Sequence, residues 1–521
     1  MKKKWLVFCL LCMPVCIAPA QGFLKQFFRG LAKGAVIEGA KGAFNSGAKG
    51  KGPIPDPKPP FPYDLKKELK PKVWSDSSRI RVETIIESHS KRQTTIERRE
   101  KALSKTQSIK YVDKEEMLNT LLKYIAVESG SEETTDGSYP MTPGQIQMAK
   151  LLKADAEALG AKVTMTEWGY VYVDVPSNVK KEVPVLGISC HLDYTPEAPG
   201  KGIKPTVITD YKGGDIILAD GSVISPSNPD GADLPGLIGK TIIHSDGTTL
   251  LGADDKNGCT IVMSLLKTVL GSKMKHGRIQ MAFCPNEDIG MAAEKIDTTY
   301  FNPDILFDVD GKGGNEIAAS NFSAKGMKIR FIGHEAHASV AKEQKLGDAL
   351  AAAATFIAAV PVQHRPENTE GREGYIHPWN LTQEGFDYTV TTRIRYFDKE
   401  EGKRFEEIID KALEQIKRDF PNVGIEILSE GLQYENVAYS MHPESRGVLE
   451  RAAAKSKIEI KFVPERGGTT AAMFSAKGLR GGMNIFSGQH NCHKVHEYAC
   501  LEEMMDAYIL LVSAINEIVQ L

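Results

Sequence analysis

Apolar residues recur every three or four positions in several long segments of the chain, a spacing typical of amphipathic helices. The segments 112–127 and 142–160 show this spacing, and Asp113 and Thr142 are predicted to cap the two helices at their N-termini. Further helices are predicted over residues 257–270, 346–360, 405–420 and 501–519. From about Ile109 onward, the pattern is therefore that of a globular protein.

Segments with the patterns of β-strands lie between these helices. Residues 162–175 alternate apolar and polar positions, whereas residues 183–193 and 278–285 form nearly continuous apolar runs, which suit strands buried on both faces. Helices that alternate with buried strands are typical of an α/β domain in which helices flank a mainly parallel sheet. We predict this fold class for the larger part of the chain.

The pattern changes between residues 321 and 436. Residues 327–333 and 386–398 alternate as half-buried strands do, and two of the predicted helices fall in the same region. This order predicts a compact α+β domain at 321–436, inserted into a larger domain formed by residues 109–320 and 437–521.

The first 108 residues differ from the rest. Residues 1–20 combine MKKK, an apolar stretch and Ala-Pro-Ala, which predicts a signal peptide and export to the periplasm or the cell exterior; a membrane anchor is the alternative. Residues 21–108 form a basic extension rich in Gly, Lys and Pro. Its start, GFLKQFFRGLAKGAV, has the spacing of a basic amphipathic helix, so we expect either contact with a membrane surface or a solvated linker.

Composition narrows the classes of partner. The chain has 521 residues, of which 41% are hydrophobic and 25% charged, and its formal net charge is −2. Without an excess of positive charge to attract a polyanion, nucleic acid is not an expected partner.

Outside the predicted signal peptide the cysteines are odd in number and lack the paired spacing of a disulfide framework or a structural zinc site. Cys190, Cys259 and Cys284 lie in apolar runs and are predicted to be buried thiols.

Acids and histidines stand at the ends of predicted strands or in glycine-rich turns at five places. They are His191 with Asp193, Asp254 with Asp255, Glu287 with Asp288, Asp308 with Asp310, and the group His490, His493 and His496. Taken alone, each place has a plain structural explanation; Asp254, for example, could cap the helix that follows it. Together, histidine and several carboxylates suit zinc or a similar divalent ion, and a shared carboxylate can bridge two ions.

The order of these motifs resembles that of the M20 metallopeptidases. The motifs are HLD, SDGTTLLGADDKNG, FCPNEDIG, DVDGKGG, RPENTEGREGYIH, RGGT and KVHEY. GTTLLGADDK and ENTEGREG are most similar to the tripeptide aminopeptidases of that family. The resemblance implies a catalytic α/β domain of the zinc peptidase type, interrupted by a lid domain that often mediates dimers, so a homodimer through residues 321–436 is an expectation.

The resemblance also implies two divalent metal ions per subunit, expected to be Zn²⁺. Their ligands would be His191, Asp254, Asp288, Asp310 and His496. Asp254 would bridge both ions, with His191 and Asp310 completing the first site and Asp288 and His496 the second. The peptide bond after Asp254 is expected to be cis.

Other motif residues would act on the reaction or the substrate. Asp193 would orient His191, and Glu287 would be the general base that takes a proton from a metal-bound water. His337 matches a lid histidine that stabilises the tetrahedral intermediate, with a plain surface histidine as the alternative. Arg395 and Arg466 match positions that bind a substrate carboxylate, with structural ion pairs as the alternative.

Three positions depart from the family pattern. Asp288 stands where glutamate is usual, and Thr470 and Tyr396 replace acids. Asp288 is still expected to bind metal, whereas Thr470 and Tyr396 are expected to affect substrate recognition more than hydrolysis.

The leading hypothesis is a two-metal aminopeptidase that releases the N-terminal residue of short peptides. A carboxypeptidase or an N-acyl amino acid deacylase with the same metals is the alternative within the family. A non-catalytic peptide-binding protein is the alternative from another class, although binding alone does not require a general base.

Overall fold

The protein is described here from a computed structural model, which describes residues 109–134 and 138–521. The predicted signal peptide and the basic extension up to residue 108 lie outside these described residues.

Helices and strands alternate along most of the described chain. The α-helices are α1 (Lys114–Ile125), α2 (Pro143–Ala158), α3 (Ala253–Gly271), α4 (Ala349–Ala359), α5 (Lys399–Asp419), α6 (Ser445–Ser456), α7 (Thr470–Ala476) and α8 (Leu501–Ile518). The first nine strands are β1 (Lys162–Met165), β2 (Val171–Val175), β3 (Leu186–His191), β4 (Thr206–Ile208), β5 (Ile216–Ile217), β6 (Val223–Ile224), β7 (Ile242–His244), β8 (Ile279–Cys284) and β9 (Ile305–Lys312). The remaining strands are β10 (Glu316–Asn321), β11 (Ser323–Ile332), β12 (Tyr375–Glu384), β13 (Asp387–Tyr396), β14 (Gly424–Tyr434), β15 (Lys461–Glu465), β16 (Gly482–His490) and β17 (Tyr498–Cys500). Short 3₁₀ helices lie at Pro229–Gly231, Leu234–Leu237, Ala338–Val340, Val362–His364, Pro366–Asn368 and Val437–Tyr439.

The larger sheet is mixed, with a parallel centre. Its strand order is β1-β2-β8-β3-β9-β16-β17-β7-β4; β10 also pairs with β16, and β15 pairs with β10. The central pairs β8–β3, β3–β9 and β9–β16 are parallel. The other pairs are antiparallel except β10–β15, which is parallel. The predicted class, an α/β domain with helices on its sheet, is confirmed, and the parallel arrangement holds for the central strands.

The core of this domain forms where helices cover the central strands. Helix α3 contacts β3, β9 and β16, and α8 contacts β16, α3 and α6. Side chains such as Ile188, Phe307, Leu265 and Leu511 are fully buried in the resulting cluster. Such burial stabilises the fold by roughly 25 cal/mol for each Å² of apolar surface removed from water. The packed core therefore holds the strand ends in fixed relative positions.

A separate antiparallel sheet forms the second domain. Its strand order is β12-β13-β11-β14, and α4 and α5 pack against it. Phe405, Ile409 and Ile416 recur on one side of α5 and are buried in the core of this domain. The predicted separate α+β domain is therefore present, while the limits of residues 321–436 stay a prediction.

Local predictions in the larger domain are also confirmed. The side chain of Asp113 accepts a hydrogen bond from the backbone N–H of Glu116, and that of Thr142 accepts one from Gln145, so both are N-caps. Cys190, Cys259 and Cys284 are buried. Among the described helices, none has the length and apolar character needed to cross a bilayer.

A buried network of charges joins β16 to α8. The ring of His490 lies with Nδ1 at 2.9 Å from Asp233 Oδ2 and Nε2 at 2.9 Å from Glu503 Oε2. Lys240 Nζ donates to the other oxygen of Glu503 at 2.9 Å. Burial alone would lower the pKa of His490, but the carboxylates of Asp233 and Glu503 raise it to about 9.

We predict that this network makes stability depend on pH. The pKa of His490 is higher in the folded chain than its ordinary value. Its pairing with the carboxylates therefore stabilises the folded state fully below about pH 6.5, and this stabilisation is lost as the pH rises through about 9. The difference in unfolding free energy between wild type and His490→Gln should shrink, by on the order of 3 kcal/mol, between about pH 6 and about pH 9.5. Urea denaturation at both pH values measures it. The exposed His334→Gln is the control, and a pH-independent difference for His490→Gln would contradict the prediction.

Candidate metal centre

Five acidic or histidine motifs converge because parallel strands end at the same edge of the sheet. His191 is the last residue of β3, Glu287 and Asp288 follow β8, and Asp310 lies near the end of β9. Ser189 pairs with Asp308 in the register of β3 and β9, which places His191 level with Asp310 two residues further on.

His191, Asp254 and Asp310 form the first metal-binding group. His191 Nε2 lies 2.9 Å from Asp254 Oδ1 and 3.5 Å from Asp310 Oδ1. Gln489 donates from its side-chain amide to Asp310 Oδ1 at 3.2 Å, which fixes that carboxylate. All three ligand atoms lie within 4.8 Å of one another, so one ion could contact all of them.

Asp254, Asp288 and His493 form a second group. His493 Nε2 lies 2.9 Å from Asp288 Oδ1 and 3.3 Å from Asp254 Oδ2. Asp254 therefore offers one oxygen to each group. The peptide bond from Asp254 to Asp255 is cis, as the resemblance implies.

The structure does not bring His496, a predicted ligand, into either metal-binding group. His496 Nδ1 lies 2.9 Å from Asp230 Oδ2, and the described cluster takes His493 instead. The loop after β16 turns through positive φ at Asn491 (57°) and His493 (66°), and this turn aims His493 at Asp288. The signal was present as three histidines within seven residues, but periodicity does not distinguish among residues of an irregular loop.

Glu287 lies beside the two groups, and other side chains set its position. Asp193 Oδ1 accepts a hydrogen bond from the backbone N–H of Glu287 at 3.0 Å, and Oδ2 accepts one from Asp288 at 3.2 Å. Asp193 Oδ1 is also 3.4 Å from His191 Nδ1. Thr470 Oγ1 donates to Glu287 Oε1 at 2.7 Å. The departure at Thr470 thus touches the predicted base itself, a contact that the sequence did not reveal.

The ionisation of these groups reflects their crowding. Removal from water raises the pKa of Glu287 to about 7, with Asp310 adding to the shift while His191 and Thr470 oppose it. Hydrogen bonds to Asp254 and Asp288 raise the pKa of His493 to about 11. Burial and the nearby charge of Asp254 raise the pKa of Asp288 above its usual value. Strongly shifted pKa values gathered in one cluster are typical of a functional site.

The donor set fits divalent cations. Asp288 Oδ2 is buried without a hydrogen-bond partner. Buried polar atoms usually have a partner, so an unpaired oxygen facing a cluster of acids indicates a place for a cation. One histidine and two carboxylates in each group match the ligand types of zinc.

The three residues predicted to bind substrate lie outside this cluster. His337 is exposed, and its Nδ1 is 2.7 Å from Ser339 Oγ. Arg395 donates to the carbonyl of Ile394 at 3.0 Å, and Arg466 donates to the carbonyl of Glu373 at 3.0 Å. Arg466 also lies over the ring of Phe322. These contacts do not test substrate binding, which stays a prediction for all three.

Tyr396, the other position that departs from an acid, lies within the second domain. It packs against the core of that domain and is close to Gly402.

Comparison with known proteins identifies the family. The chain is 36% identical over 401 residues to peptidase T of Listeria monocytogenes serotype 4b (strain CLIP80459), which covers 76% of this chain and 96% of that protein. It is 32% identical over 403 residues to peptidase T of Bacillus subtilis (strain 168), covering 77% and 97%. The chain belongs to the peptidase T family. A scan against models of protein families found no match.

Solved structures show the same fold for the peptidase T chain. The aminopeptidase PepT from Bacillus cereus covers 78% of this chain and 99% of its own length, with a TM-score of 0.61 and 20% identity. A dinuclear metal binding peptidase of the M20 family from Bacillus subtilis covers 78% and 99%, with a TM-score of 0.53 and 13% identity. The predicted closeness to peptidase T and the predicted class of peptidase are confirmed, the fold agrees with that of these solved structures, and the relatives do not favour the carboxypeptidase or deacylase alternative.

We predict that His493 and not His496 binds metal. The apoprotein of His493→Ala should bind one Zn²⁺ ion with an affinity reduced at least 10-fold, because its group keeps only the two carboxylates. His496→Ala, three residues away and paired with Asp230, is the matched control and should bind as wild type does. Equilibrium dialysis with metal analysis measures both, and the reverse ranking would contradict the assignment.

Proposed function

We propose that this peptidase T chain uses two Zn²⁺ ions to release the N-terminal residue from short peptides. The observation that carries the proposal is the arrangement of Asp254, which offers one oxygen to each of two histidine–carboxylate groups, with Glu287 beside them. Two ions about 3.5–4 Å apart are a recurrent arrangement in aminopeptidases.

His191, Asp254 and Asp310 would hold one ion, and Asp254, Asp288 and His493 the other. When bound, such ions lower the pKa of a water molecule and polarise the carbonyl of the scissile bond. Asp288 is one methylene shorter than the usual glutamate, yet its Oδ1 lies 2.9 Å from His493 Nε2, so the shorter side chain still reaches the group.

Glu287 would act as the general base. Its carboxylate accepts a proton from the attacking water and later donates it to the amine of the departing product. The hydroxyl of Thr470 donates to Oε1 of Glu287. The backbone N–H of Glu287 donates to Asp193, which fixes the backbone from which the Glu287 side chain extends. Glu287 therefore keeps a free oxygen for the proton while its orientation is held.

Substrate contacts come from two residues of the lid domain and from Arg466 of the larger domain in this proposal. His337 would stabilise the tetrahedral intermediate, and Arg395 and Arg466 would bind the carboxylate of a short peptide. The preference for tripeptides is part of the proposal, as are zinc as the metal and a homodimer through the lid domain.

Export belongs to the proposal as well. The signal peptide and the membrane-surface contact of the extension involve residues 1–108, which lie outside the described part of the chain.

The reaction class is tested with a panel of peptides. We predict that full-length protein loaded with Zn²⁺ releases the N-terminal amino acid from tripeptides with a free amino terminus. N-acylated tripeptides of the same sequence are the matched control and should be cleaved at least 100-fold more slowly. Amino acid analysis of the products measures both; release from the C-terminus or from the acylated series would support a carboxypeptidase or a deacylase instead.

The role of Glu287 is tested by Glu287→Gln. Because the amide cannot accept the proton, kcat should fall by about 10²–10⁴-fold, while two Zn²⁺ ions still bind. Glu294→Gln is the control, since Glu294 is in the same segment but pairs with Lys477. Undiminished turnover by the metal-loaded Glu287→Gln variant would overturn the mechanism.

A further inference from the structure

Glu497 lies behind the metal-binding groups and is bonded to the backbone that carries one of them. The side chain is buried. Its Oε2 accepts hydrogen bonds from the N–H groups of Leu251 at 2.8 Å and Gly252 at 2.7 Å, and its Oε1 accepts one from Asp254 at 2.9 Å. Both carboxylate oxygens are therefore used by one short stretch of backbone.

This stretch is the beginning of α3, where free N–H groups need acceptors. Gly252 occupies the N-cap position with φ 76° and has no side chain to supply one. Asp254 and Asp255 depart from helical dihedrals, so the first turn of the helix does not hold Asp254 by itself. Glu497 supplies the missing acceptors for these N–H groups.

Glu497 belongs to the same loop as His493. Asn491 Nδ2 donates to the carbonyl of His496 at 3.0 Å, and the N–H of Glu497 donates to the carbonyl of Lys494 at 3.2 Å. These bonds close the loop on itself, and β17 begins at the next residue, Tyr498. His493 and Glu497 are thus held in one compact unit.

We propose that Glu497 is a positioning residue that sets the spacing between Asp254 and His493, and through it the geometry of both metal sites. This inference rests on the proposed function. Asp254 is shared by the two groups, so a shift of its backbone changes the position of one ligand oxygen in each. Glu497 would therefore affect both ions although it binds neither.

A role limited to capping α3 would give a different result. Loss of a cap lowers stability but leaves the affinity of a correctly folded site unchanged. Metal affinity of the folded apoprotein separates the two roles, because partners that orient ligands typically change it by 10- to 100-fold.

The experiment compares Glu497→Gln with Glu503→Gln in the full chain. The glutamine side chain keeps one oxygen as an acceptor, but its NH₂ group faces a backbone N–H that is also a donor. The backbone of residues 251–254 therefore loses part of its hydrogen bonding to residue 497. Glu503 is a matched control: it is a buried glutamate in the same C-terminal region that accepts from the N–H of Gly314, and it pairs with His490 and Lys240. Zn²⁺ binding is measured by equilibrium dialysis of each apoprotein, unfolding by thermal denaturation, and tripeptide turnover at saturating Zn²⁺.

We expect both variants to lower the Tm, but only Glu497→Gln to weaken binding of both Zn²⁺ ions, by 10- to 100-fold. At saturating Zn²⁺ its kcat should fall more than its KM changes, and Glu497→Asp, which keeps the charge, should recover part of the affinity. Wild-type Zn²⁺ affinity in folded Glu497→Gln, or an equal loss in Glu503→Gln, would overturn the inference. Should Glu497→Gln not fold, Glu497→Asp decides in its place, since Zn²⁺ affinity equal to that of wild type would overturn the inference. A wild-type chain that binds no Zn²⁺ would instead overturn the proposed function, and this inference with it.

Discussion

Repulsion among buried carboxylates is the constraint on which the centre of this protein depends. Asp193, Asp254, Asp255, Asp308 and Glu497 are all buried near the carboxyl ends of the parallel strands. Burying an ionised group costs several kcal/mol unless hydrogen bonds or opposite charges offset it. The chain supplies such partners nearly everywhere: backbone N–H groups for Asp193, Asp255 and Glu497, and the Ser189 hydroxyl for Asp308. Oδ2 of Asp288 and Oδ2 of Asp308 lack a hydrogen-bond partner, and of these two residues Asp288 belongs to the candidate metal-binding groups.

One C-terminal segment, residues 484–497, satisfies much of this constraint. Asn484 and Gln489 bond Asp310, His493 joins the second group, and Glu497 supports the backbone of Asp254. Strand β16 lies between β9 and β17, so these side chains are placed by the sheet itself. Residues from the first part of the chain and from its last part therefore form one site.

The sequence predicts the fold well because apolar residues recur at regular spacings in its helices and buried strands. Ligands at strand ends, such as His191 and Asp310, are also predictable, since period and register determine where they lie. The choice of His493 over His496 depends on a loop with positive φ angles, which no period describes. The bond from Thr470 to Glu287 spans 183 positions of sequence, and only the packing of α7 against β9 and β16 brings the two together.

The guanidinium of Arg466 connects the lid domain to the catalytic domain. It donates to the carbonyls of Gly371 and Glu373 and to Thr369 Oγ1, just before β12 of the lid. Arg466 precedes Thr470 by four residues in the loop that leads into α7. A displacement of residues 369–373 that kept these bonds would also displace the loop before α7, and with it the hydroxyl bonded to Glu287. The side chain of Glu287 is thus linked to the second domain through one short connection.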